Sequence, residues 1–457
     1  MGAGKSGLAD EVGSRLGRPV QDVDGILEAV TGRSIPALFR ERGEPEFRRE
    51  EEELAAALLR GQPEPHVFAL GGGAVTSQTV REALRDRAIT VWLDIDVDTA
   101  WERVRGSDRP LAQDEAQFRR LYEERRPLYE VVADAVARDA DDAVLAGAGV
   151  SIARGAIARL SELVPGDGPV ALVSEPHVLG IHGAVAQVAL GSRLASVHEL
   201  PTGEEAKTVA AVERLWHELR LPRGGAVVAL GGGALTDAAG FAAATFLRGV
   251  AWVSVPSSLV GQVDAGIGGK TAIDLPAGKN LVGAFHWPVR TVVDPSLLAT
   301  LPEQERREGM AEVVKTGLLA GEPLWELPDA ELVRRCAAFK AAVCLRDPCE
   351  SGERAILNLG HTFAHALEAA AGFSGLTHGR AVALGLVAAL RLSGRSTDVV
   401  EEVLAPRPVR VDRERAWEAF GRDKKTGLVL LGEDGPRWGV RLPEEDVRRE
   451  LDALIAE

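Results

Sequence analysis

The 457-residue sequence lacks an excess of basic residues: 53 lysines and arginines stand against 68 aspartates and glutamates, which gives a net charge of −15. Because proteins that bind nucleic acids or membrane surfaces carry basic patches, this balance argues against both kinds of partner. An uninterrupted apolar run of about 18 residues is missing, so we expect no transmembrane helix. The first residues, MGAGKSGLADEVG, lack the apolar core of a signal peptide, which indicates the cytoplasm.

Cysteine is scarce as well. Cys336, Cys344 and Cys349 are odd in number and lack CxxC spacing, which argues against a disulfide framework and against structural zinc fingers. The remaining composition, 46 % hydrophobic and 26 % charged residues, is typical of a globular protein. A chain of this length is expected to form about two to four domains.

A strand, a glycine turn and a helix follow one another in the middle of the chain. Residues 226–230 form a short apolar run that predicts a buried strand, residues 231–233 are glycines, and a helix of small residues is predicted over about 236–247. This order places a pyrophosphate on backbone N–H groups at a helix N-terminus. The stretch therefore predicts a nucleotide site in an α/β domain.

A boundary between domains is predicted at residues 165–169, which read PGDGP and are typical of a linker. The strand predicted at 170–173 is followed by Glu175. A carboxylate at this place can meet an adenine ribose; the alternative is an ordinary acid at a helix N-terminus.

Metal-type ligands are concentrated in the last third of the chain. Glu312 and Lys315 lie at i and i+3 on one face of a mostly apolar helix, and a buried carboxylate and lysine need partners or a metal. His361 and His365 follow at i and i+4, and His378 comes next. One glutamate and three histidines exceed the three protein ligands of a catalytic zinc. The residues alone leave open which histidine is not a ligand.

The chain opens with Gly4-Lys5-Ser6 ahead of a predicted helix, similar to the end of a phosphate-binding P-loop. In such a loop Lys5 would reach the phosphates and Ser6 would hold Mg²⁺. The alternative is a glycine-rich start without function.

Over about its first 140 residues the chain resembles shikimate kinase. The resemblance rests on GAGKS, DVDG, the FR pair, the triple glycine, DRPL and RxPLY taken together. It implies a parallel α/β domain of the P-loop kinase type at residues 1–164, which uses ATP with Mg²⁺ to phosphorylate shikimate. It implies nucleotide contacts at Gly2, Gly4, Lys5, Ser6 and Arg109, with Mg²⁺ on Ser6. It implies shikimate contacts at Asp24, Arg48, Gly71, Gly72, Gly73 and Arg125.

Two departures from shikimate kinase concern the P-loop. The first strand and the first glycine of the pattern do not precede Met1, and Gly7 stands where the family usually has Thr or Ser. A P-loop works because a central strand and a helix fix its N–H groups, so we expect slow phosphorylation of shikimate by a chain that begins at Met1. The alternative to an active kinase is an inactive domain with a structural role.

From Gly203 to its end the chain resembles 3-dehydroquinate synthase. The motifs are GEEAK, GGGALTD, FLRG, VPSSL, QVDAGIGGKT, GKNLVGAFHWP, LPEQE, GMAEVVKTG, LNLGHTFAHALE and THGRAVA. The resemblance implies a nucleotide-binding α/β domain at 165–300 and a mostly helical metal and substrate domain at 301–457. It implies closure of 3-deoxy-D-arabino-heptulosonate 7-phosphate to 3-dehydroquinate with loss of phosphate, with NAD⁺ and Zn²⁺ or Co²⁺ as cofactors.

The same resemblance implies roles for individual residues. The metal ligands would be Glu312, His361 and His378. NAD⁺ contacts would be Glu204, Lys207, Gly232, Gly233, Asp237, Ser257, Ser258, Lys270, Lys279, Leu297 and Thr300. Catalytic and substrate contacts would be Arg248, Asp264, Lys270, Asn280, Lys315, Lys340, Glu350, Arg354, Asn358, His365 and Lys424. Arg380 stands where the family typically has Glu, which puts a contact behind the ligand His378 in question.

Together the two resemblances predict a fused enzyme of the shikimate pathway, which leads to chorismate and the aromatic amino acids. Small molecules would be its partners, and a homodimer is compatible with the sequence. Two other functions are compatible with parts of the sequence. An iron- or zinc-dependent alcohol dehydrogenase is disfavoured by the anion-binding types Lys340, Arg354 and Lys424, and a regulator without chemistry is disfavoured by the metal-type ligands.

Overall fold

The computed structural model describes residues 2–276, 278–372, 375–423 and 427–456. The chain divides into two compact units, Met1–Ala148 and Gly149–Glu457. The three domains expected from the sequence, at 1–164, 165–300 and 301–457, stay a prediction.

The first unit alternates helices and strands, as expected of a parallel α/β domain. Its elements are α1 (Lys5–Leu16), β1 (Val20–Asp22), α2 (Val23–Thr31), α3 (Ile35–Gly61), β2 (Val67–Ala69), α4 (Gln78–Arg87), β3 (Val91–Leu93), α5 (Val97–Val104), α6 (Glu115–Val132), β4 (Ala135–Ala137) and α7 (Ala140–Gly147). Within the described residues β1 pairs in parallel with β2, and β3 with β4.

Short polar side chains fix the helix starts of this unit. In the helices α2 to α7 the N-cap side chain accepts a hydrogen bond from a backbone N–H of the first turn, and these residues are Asp22, Ser34, Ser77, Asp96, Asp114 and Asp139. Asp22 is also the last residue of β1, so this cap joins β1 directly to α2.

The second unit begins with a half rich in strands, which we call the sheet half (149–300). Its elements are β5 (Val150–Ile152), α8 (Leu160–Leu163), β6 (Val170–Ser174), α9 (Pro176–Leu190), β7 (Leu194–Glu199), α10 (Val209–Glu218), β8 (Ala226–Gly231), α11 (Gly233–Thr245), β9 (Ala251–Pro256), β10 (Lys270–Leu275), β11 (Gly278–Phe285) and β12 (Arg290–Val293). Among the described residues, six strands form one parallel sheet in the order β5, β12, β9, β8, β6, β7.

The centre of this sheet is apolar on both faces. Every residue of β6 and β8 is buried, because helices cover the two sides. The strands β10 and β11 form a separate antiparallel pair. The helix after the glycine turn begins at Gly233, earlier than the expected residue 236, since Gly232 serves as its N-cap.

The remaining residues form the helical half (301–456) of the second unit. Its elements are α12 (Glu303–Ala320), α13 (Asp329–Arg346), α14 (His361–Ala370), α15 (His378–Leu392), α16 (Asp398–Leu404), α17 (Arg413–Asp423), β13 (Leu428–Gly432), β14 (Gly435–Val440) and α18 (Glu444–Ala453). The helix α15 is buried along most of its length and packs on α12, α14, α16 and α18.

Candidate functional site

Three potential metal ligands converge where α12, α14 and α15 meet. Glu312 lies within α12, His361 is the first residue of α14 and His378 the first of α15. Nε2 of His361 lies 3.4 Å, and Nε2 of His378 3.2 Å, from Oε1 of Glu312. The three ligand atoms lie within 4.8 Å of one another. One carboxylate and two imidazoles so placed fit a zinc-type ion with an open coordination position.

Two glycines let the histidine-bearing helices approach each other. Gly360, with φ 78°, directly precedes His361. A Cβ on Gly385 of α15 would lie 2.0 Å from the backbone oxygen of Gly360, so a larger residue would push the helices apart. The ring centroids of His361 and His378 are consequently only 5.5 Å apart.

A second carboxylate lies behind His378. Oε1 of Glu368 is 3.7 Å from Nδ1 of His378 and 3.6 Å from Nζ of Lys279. Burial alone would lower the pKa of His378, but Glu312 and Glu368 outweigh it and raise this pKa to about 10. A metal ion would have to displace the extra imidazole proton.

Charged groups extend from Glu312 to Asp264, which lies in a turn of π-helix, Gly261–Ala265. Lys315 contacts Glu312 and lies 3.5 Å from Oδ1 of Asp264. Lys340 lies 3.0 Å from the same oxygen and donates a 2.6 Å hydrogen bond to the backbone oxygen of Asp264. Burial opposes ionisation of Asp264, but the two lysines outweigh it and lower its pKa to about 2. Asp264 is therefore an acceptor for hydroxyl groups at neutral pH.

The loop after α13 is built around Asp347. Its carboxylate accepts hydrogen bonds from the N–H groups of Ser351 (2.8 Å), Gly352 (2.8 Å) and Arg354 (3.1 Å). Burial would raise the pKa of Asp347, but these backbone bonds outweigh it and lower the pKa to about 2. Asp347 thus fixes the loop that carries Glu350 and Arg354.

Glu350 and Arg354 lie on this loop beside cationic and polar groups. Oε2 of Glu350 lies 2.6 Å from Nζ of Lys270, and its other oxygen accepts a 3.1 Å hydrogen bond from Asn358. The buried guanidinium of Arg354 donates to the backbone oxygen of Gly268 at 2.9 Å. Nε of Arg354 has no hydrogen-bond acceptor among the described residues, which leaves a buried donor for an anionic ligand.

His365 lies outside the group of ligand atoms. It is exposed on α14, and its ring centroid is 5.6 Å from that of His361. This places an imidazole at the edge of the candidate metal centre.

The predicted glycine turn lies between β8 and α11. The N–H of Gly232 donates to the carboxylate of Glu175 at 3.2 Å, and Glu175 does not cap its own helix, α9. Ser257 donates its N–H to Gly231, and Oγ of Ser258 accepts from a nearby N–H. The turn, including Gly233, brings together small residues and helix N–H groups, which fit a pyrophosphate.

Cationic side chains flank this turn. Lys207 is buried; its Nζ lies 2.9 Å from Oδ2 of Asp237 and contacts Asn280. Lys279 lies 3.4 Å from Oε1 of Glu204. Burial alone would lower the pKa of Lys207, but Asp237 outweighs it and raises this pKa, so the lysine stays cationic.

Leu297 and Thr300 lie on one 3₁₀ turn, Pro295–Thr300. Leu297 is buried. Oγ1 of Thr300 lies 2.9 Å from Nε2 of His182, so a histidine of α9 faces the stretch expected to meet NAD⁺.

The P-loop residues of the first unit lie at the start of α1. Nζ of Lys5 lies 3.4 Å from Asp22 and 3.1 Å from Asp24, and the hydroxyl of Ser6 donates to Asp22. Gly4, the N-cap of α1, has φ 82°, which favours glycine. A hydroxyl and a carboxylate side by side are oxygen ligands of the kind Mg²⁺ takes.

The other expected contacts of the first unit surround the triple glycine. A Cβ on Gly73 would lie 2.0 Å from the guanidinium of Arg48, and one on Gly71 would lie 2.1 Å from the carboxylate of Glu51, so a larger residue at either position would have to displace these side chains. Arg48 lies 2.6 Å from Glu51. An open cleft of about 580 Å³ is lined by Glu44, Pro45, Arg48, Thr76, Leu121, Glu124, Arg125 and Leu128. Gly72 accepts a 2.6 Å hydrogen bond from the Tyr129 hydroxyl.

The remaining expected residues differ in their exposure and surroundings. Arg109 and Arg248 are exposed, and Arg248 has φ 66°. Gly2 packs against the backbone of Ala100. Lys424 lies outside the described residues. Arg380 is exposed on α15, and no described residue pairs with its guanidinium.

Sequence reasoning missed several carboxylates that the fold brings to these sites: Asp22, Glu51, Glu308, Asp347 and Glu368. Glu308 lies one helical turn before Glu312, and Glu368 lies two turns after His361. This spacing on the ligand-bearing faces was the available signal for both.

Comparison with known families divides the chain into three matched segments. The family model described as shikimate kinase matches residues 1–152. The model described as 3-dehydroquinate synthase N-terminal matches 197–308, and the one described as 3-dehydroquinate synthase C-terminal matches 309–425.

Curated relatives and solved structures agree with the second and third segments. The 3-dehydroquinate synthase of Bordetella pertussis is 38 % identical over 66 % of this chain and 95 % of its own length. The 3-dehydroquinate synthase of Gloeobacter violaceus is 42 % identical over 67 % of this chain and 96 % of its own length. The structure of a 2-deoxy-scyllo-inosose synthase complexed with carbaglucose-6-phosphate, NAD⁺ and Co²⁺ is 26 % identical, covers 66 % of this chain and 96 % of that one, and has a TM-score of 0.59.

A further solved structure shares the fold at lower identity. The 2-epi-5-epi-valiolone synthase of Streptomyces hygroscopicus, with NAD⁺ and Zn²⁺ bound, is 24 % identical, covers 67 % and 96 % of the two chains, and has a TM-score of 0.59. Within the described ranges, no helix combines the length and the apolar composition needed to cross a membrane.

Proposed function

Because the chain belongs to the 3-dehydroquinate synthase family and carries a shikimate kinase domain ahead of the synthase, we propose two activities for this shikimate-pathway enzyme. The second unit converts 3-deoxy-D-arabino-heptulosonate 7-phosphate to 3-dehydroquinate and phosphate. The first unit transfers a phosphoryl group from ATP to shikimate. A homodimer and a cytoplasmic location stay predictions.

The grouping of Glu312, His361 and His378 beside Asp264 carries the synthase proposal. These ligands fit Zn²⁺ or Co²⁺, and the glycine turn with the buried Lys207 fits NAD⁺. The solved relatives with NAD⁺ and Co²⁺ or Zn²⁺ support the same pair of cofactors.

The side chains around the metal ligands suit an anionic, hydroxyl-rich substrate. When bound, NAD⁺ supplies a reversible hydride acceptor and the divalent metal supplies a Lewis acid for a hydroxyl group. Asp264, held ionised by Lys315 and Lys340, accepts hydrogen bonds from substrate hydroxyls. Arg354 and Lys270 attract the carboxylate and phosphate groups. His365, at the edge of this centre, would donate a hydrogen bond to the departing phosphate.

Phosphate release from the heptulosonate phosphate tests the synthase. We expect release to require NAD⁺, to stop with a chelator and to return with Zn²⁺ or Co²⁺. His361→Ala should abolish it, whereas His217→Ala, at an exposed histidine of α10, should not. Release unaffected by chelator and NAD⁺ would contradict the proposal.

Shikimate-dependent formation of ADP tests the kinase. The cleft lined by Arg48 and Arg125, together with the close approach of Gly73 to Arg48, supports this activity. Arg48→Ala should abolish the shikimate-dependent formation of ADP. Arg49→Ala, at the exposed neighbour on α3, should retain it. Phosphate release without any shikimate-dependent ADP would favour the alternative, a synthase with an inactive, structural kinase-like domain.

A further inference from the structure

Glu308 connects α12 to the residues on both sides of His378. One carboxylate oxygen accepts a 2.6 Å hydrogen bond from the hydroxyl of Thr377. The other oxygen accepts a hydrogen bond from the N–H of Gly379. Both contacts join residues about 70 positions apart in the sequence, so they fix tertiary structure and not local structure.

These contacts replace a cap that α15 does not provide for itself. His378 is the first residue of α15, and Thr377, at the N-cap position, makes no side-chain cap. The first N–H groups of a helix need acceptors from elsewhere, and a carboxylate also suits the positive end of the helix dipole. Glu308, on the neighbouring helix α12, supplies a hydrogen-bond acceptor and a negative charge at this helix start.

The same place is a tight contact between α12 and α15. A Cβ on Gly379 would lie 2.5 Å from Cα and 2.6 Å from the backbone oxygen of Glu308. The start of α15 therefore rests on the backbone of α12, one turn before the ligand Glu312. His378 is held at its base, with Nε2 3.2 Å from Oε1 of Glu312.

We infer that Glu308 is a positioning residue of the metal centre, which sets the place of the ligand His378 through Thr377 and Gly379. This inference rests on the metal site of the proposed function. It adds a support from α12 to the contact of His378 with Glu368 on α14, whereas Arg380 on α15 is exposed. Residues that orient metal ligands typically change affinity by about 10–100-fold when removed.

The test is a titration of the full chain with Co²⁺ alone, followed by the visible absorption of the bound ion. We expect Glu308→Ala to weaken Co²⁺ binding by about 10–100-fold and to change the absorption spectrum. Glu308→Gln should restore affinity to within about threefold, because the amide oxygen can accept from Gly379 while its NH₂ group faces the Thr377 hydroxyl. Glu303→Ala, on the same helix at an exposed pair with Arg307, is the matched control and should leave affinity unchanged.

A second variant covers the case in which Glu308→Ala does not fold. Thr377→Val removes one hydroxyl contact and keeps the shape, and it should weaken Co²⁺ binding by about fivefold, as expected for one hydrogen bond. The inference would be overturned if folded Glu308→Ala and Thr377→Val bound Co²⁺ with the affinity and the absorption spectrum of the unaltered chain, even if their melting temperatures were lower. Failure of the unaltered chain to bind Co²⁺ would instead overturn the metal site itself, and this inference with it.

Discussion

At the scale of single residues, the three histidines of the candidate metal centre differ in where they lie. His361 and His378 face Glu312, whereas His365 is exposed beside them. We predict that His361→Ala and His378→Ala each lose bound zinc, since each removes one of three ligands, and that His365→Ala keeps most of it. Metal analysis of the purified variants measures this. Zinc lost from the His365 variant alone would reverse the assignment.

Arg380 is the residue at which the sequence departs from the synthase family beside a ligand. Because its side chain is exposed and pairs with no described residue, we predict that Arg380→Ala leaves zinc affinity unchanged within about twofold. Competition with a chromophoric chelator measures the affinity. A large loss of affinity would show that the guanidinium acts on His378 after all.

The sequence indicated some of these residues and not others for a physical reason. Glu312 and Lys315 stood out because charged residues in an apolar helix need partners. Glu308 and Glu368 did not, since acidic residues on helices usually face solvent. Their spacing places them on the same helix faces as the ligands, but only the packing of α12 and α14 against α15 shows that these faces meet at His378.

At the scale of elements, the loop after α13 depends on one carboxylate. The pKa of Asp347 is lowered from 3.8 to about 2, because backbone N–H bonds outweigh the effect of burial. Because its pKa is lower in the folded state than in the unfolded state, ionised Asp347 adds to the free energy of unfolding above about pH 4. This contribution is lost as the pH falls toward 2 and the carboxylate is protonated. We predict that Asp347→Asn unfolds more easily by about 1–3 kcal/mol at neutral pH, because an NH₂ group then faces backbone donors.

Urea titrations of Asp347→Asn and of the unaltered chain, at neutral pH and near pH 3, measure this effect. The difference in stability between the two proteins should shrink at the lower pH. Ser351→Ala removes only a hydroxyl contact to Asp347 and serves as the mild control. If the difference in free energy of unfolding between the two proteins stayed constant with pH, ionised Asp347 would not stabilise the loop as we assign it.

Elements with a strong pattern were predictable. The strand expected at 226–230 is β8, and the turn of three glycines follows it. The helix α11 begins three residues before the predicted start, because Gly233 belongs to the helix and not to the turn, and helix N-termini accept glycine. The edge strand β5 was not predicted, since three residues carry too little periodicity.

At the scale of the whole molecule, β5 determines where the second unit can be separated. Its residues pair with β12, and the N–H groups of Gly155 and Ile157 donate to Asp294. We predict that a fragment of residues 149–457 folds and binds NAD⁺, whereas a fragment starting at the predicted linker, residues 169–457, is less stable. Without β5 the edge of β12 is exposed. Without the buried Leu160 the fold loses about 1.5–3 kcal/mol of stabilising free energy from the burial of this side chain.

Calorimetric titration with NAD⁺ and thermal melting of both fragments check this prediction. Binding of ATP in preference to NAD⁺ by the longer fragment would contradict the proposed synthase. Equal melting temperatures would show that residues 149–168 contribute nothing to the second unit. The same comparison tests whether the expected boundary near residue 164 is the functional one.

Several contacts described above join the sheet half to the helical half: Arg354 to Gly268, Lys340 to Asp264 and Lys279 to Glu368. Each is buried or charged, so separating the halves would leave unpaired polar groups out of water. Neither half can therefore melt while the other remains intact. Differential scanning calorimetry of residues 149–457 should show one heat-absorption peak, with the van't Hoff and calorimetric enthalpies equal, although the described residues of the unit form several separate hydrophobic cores.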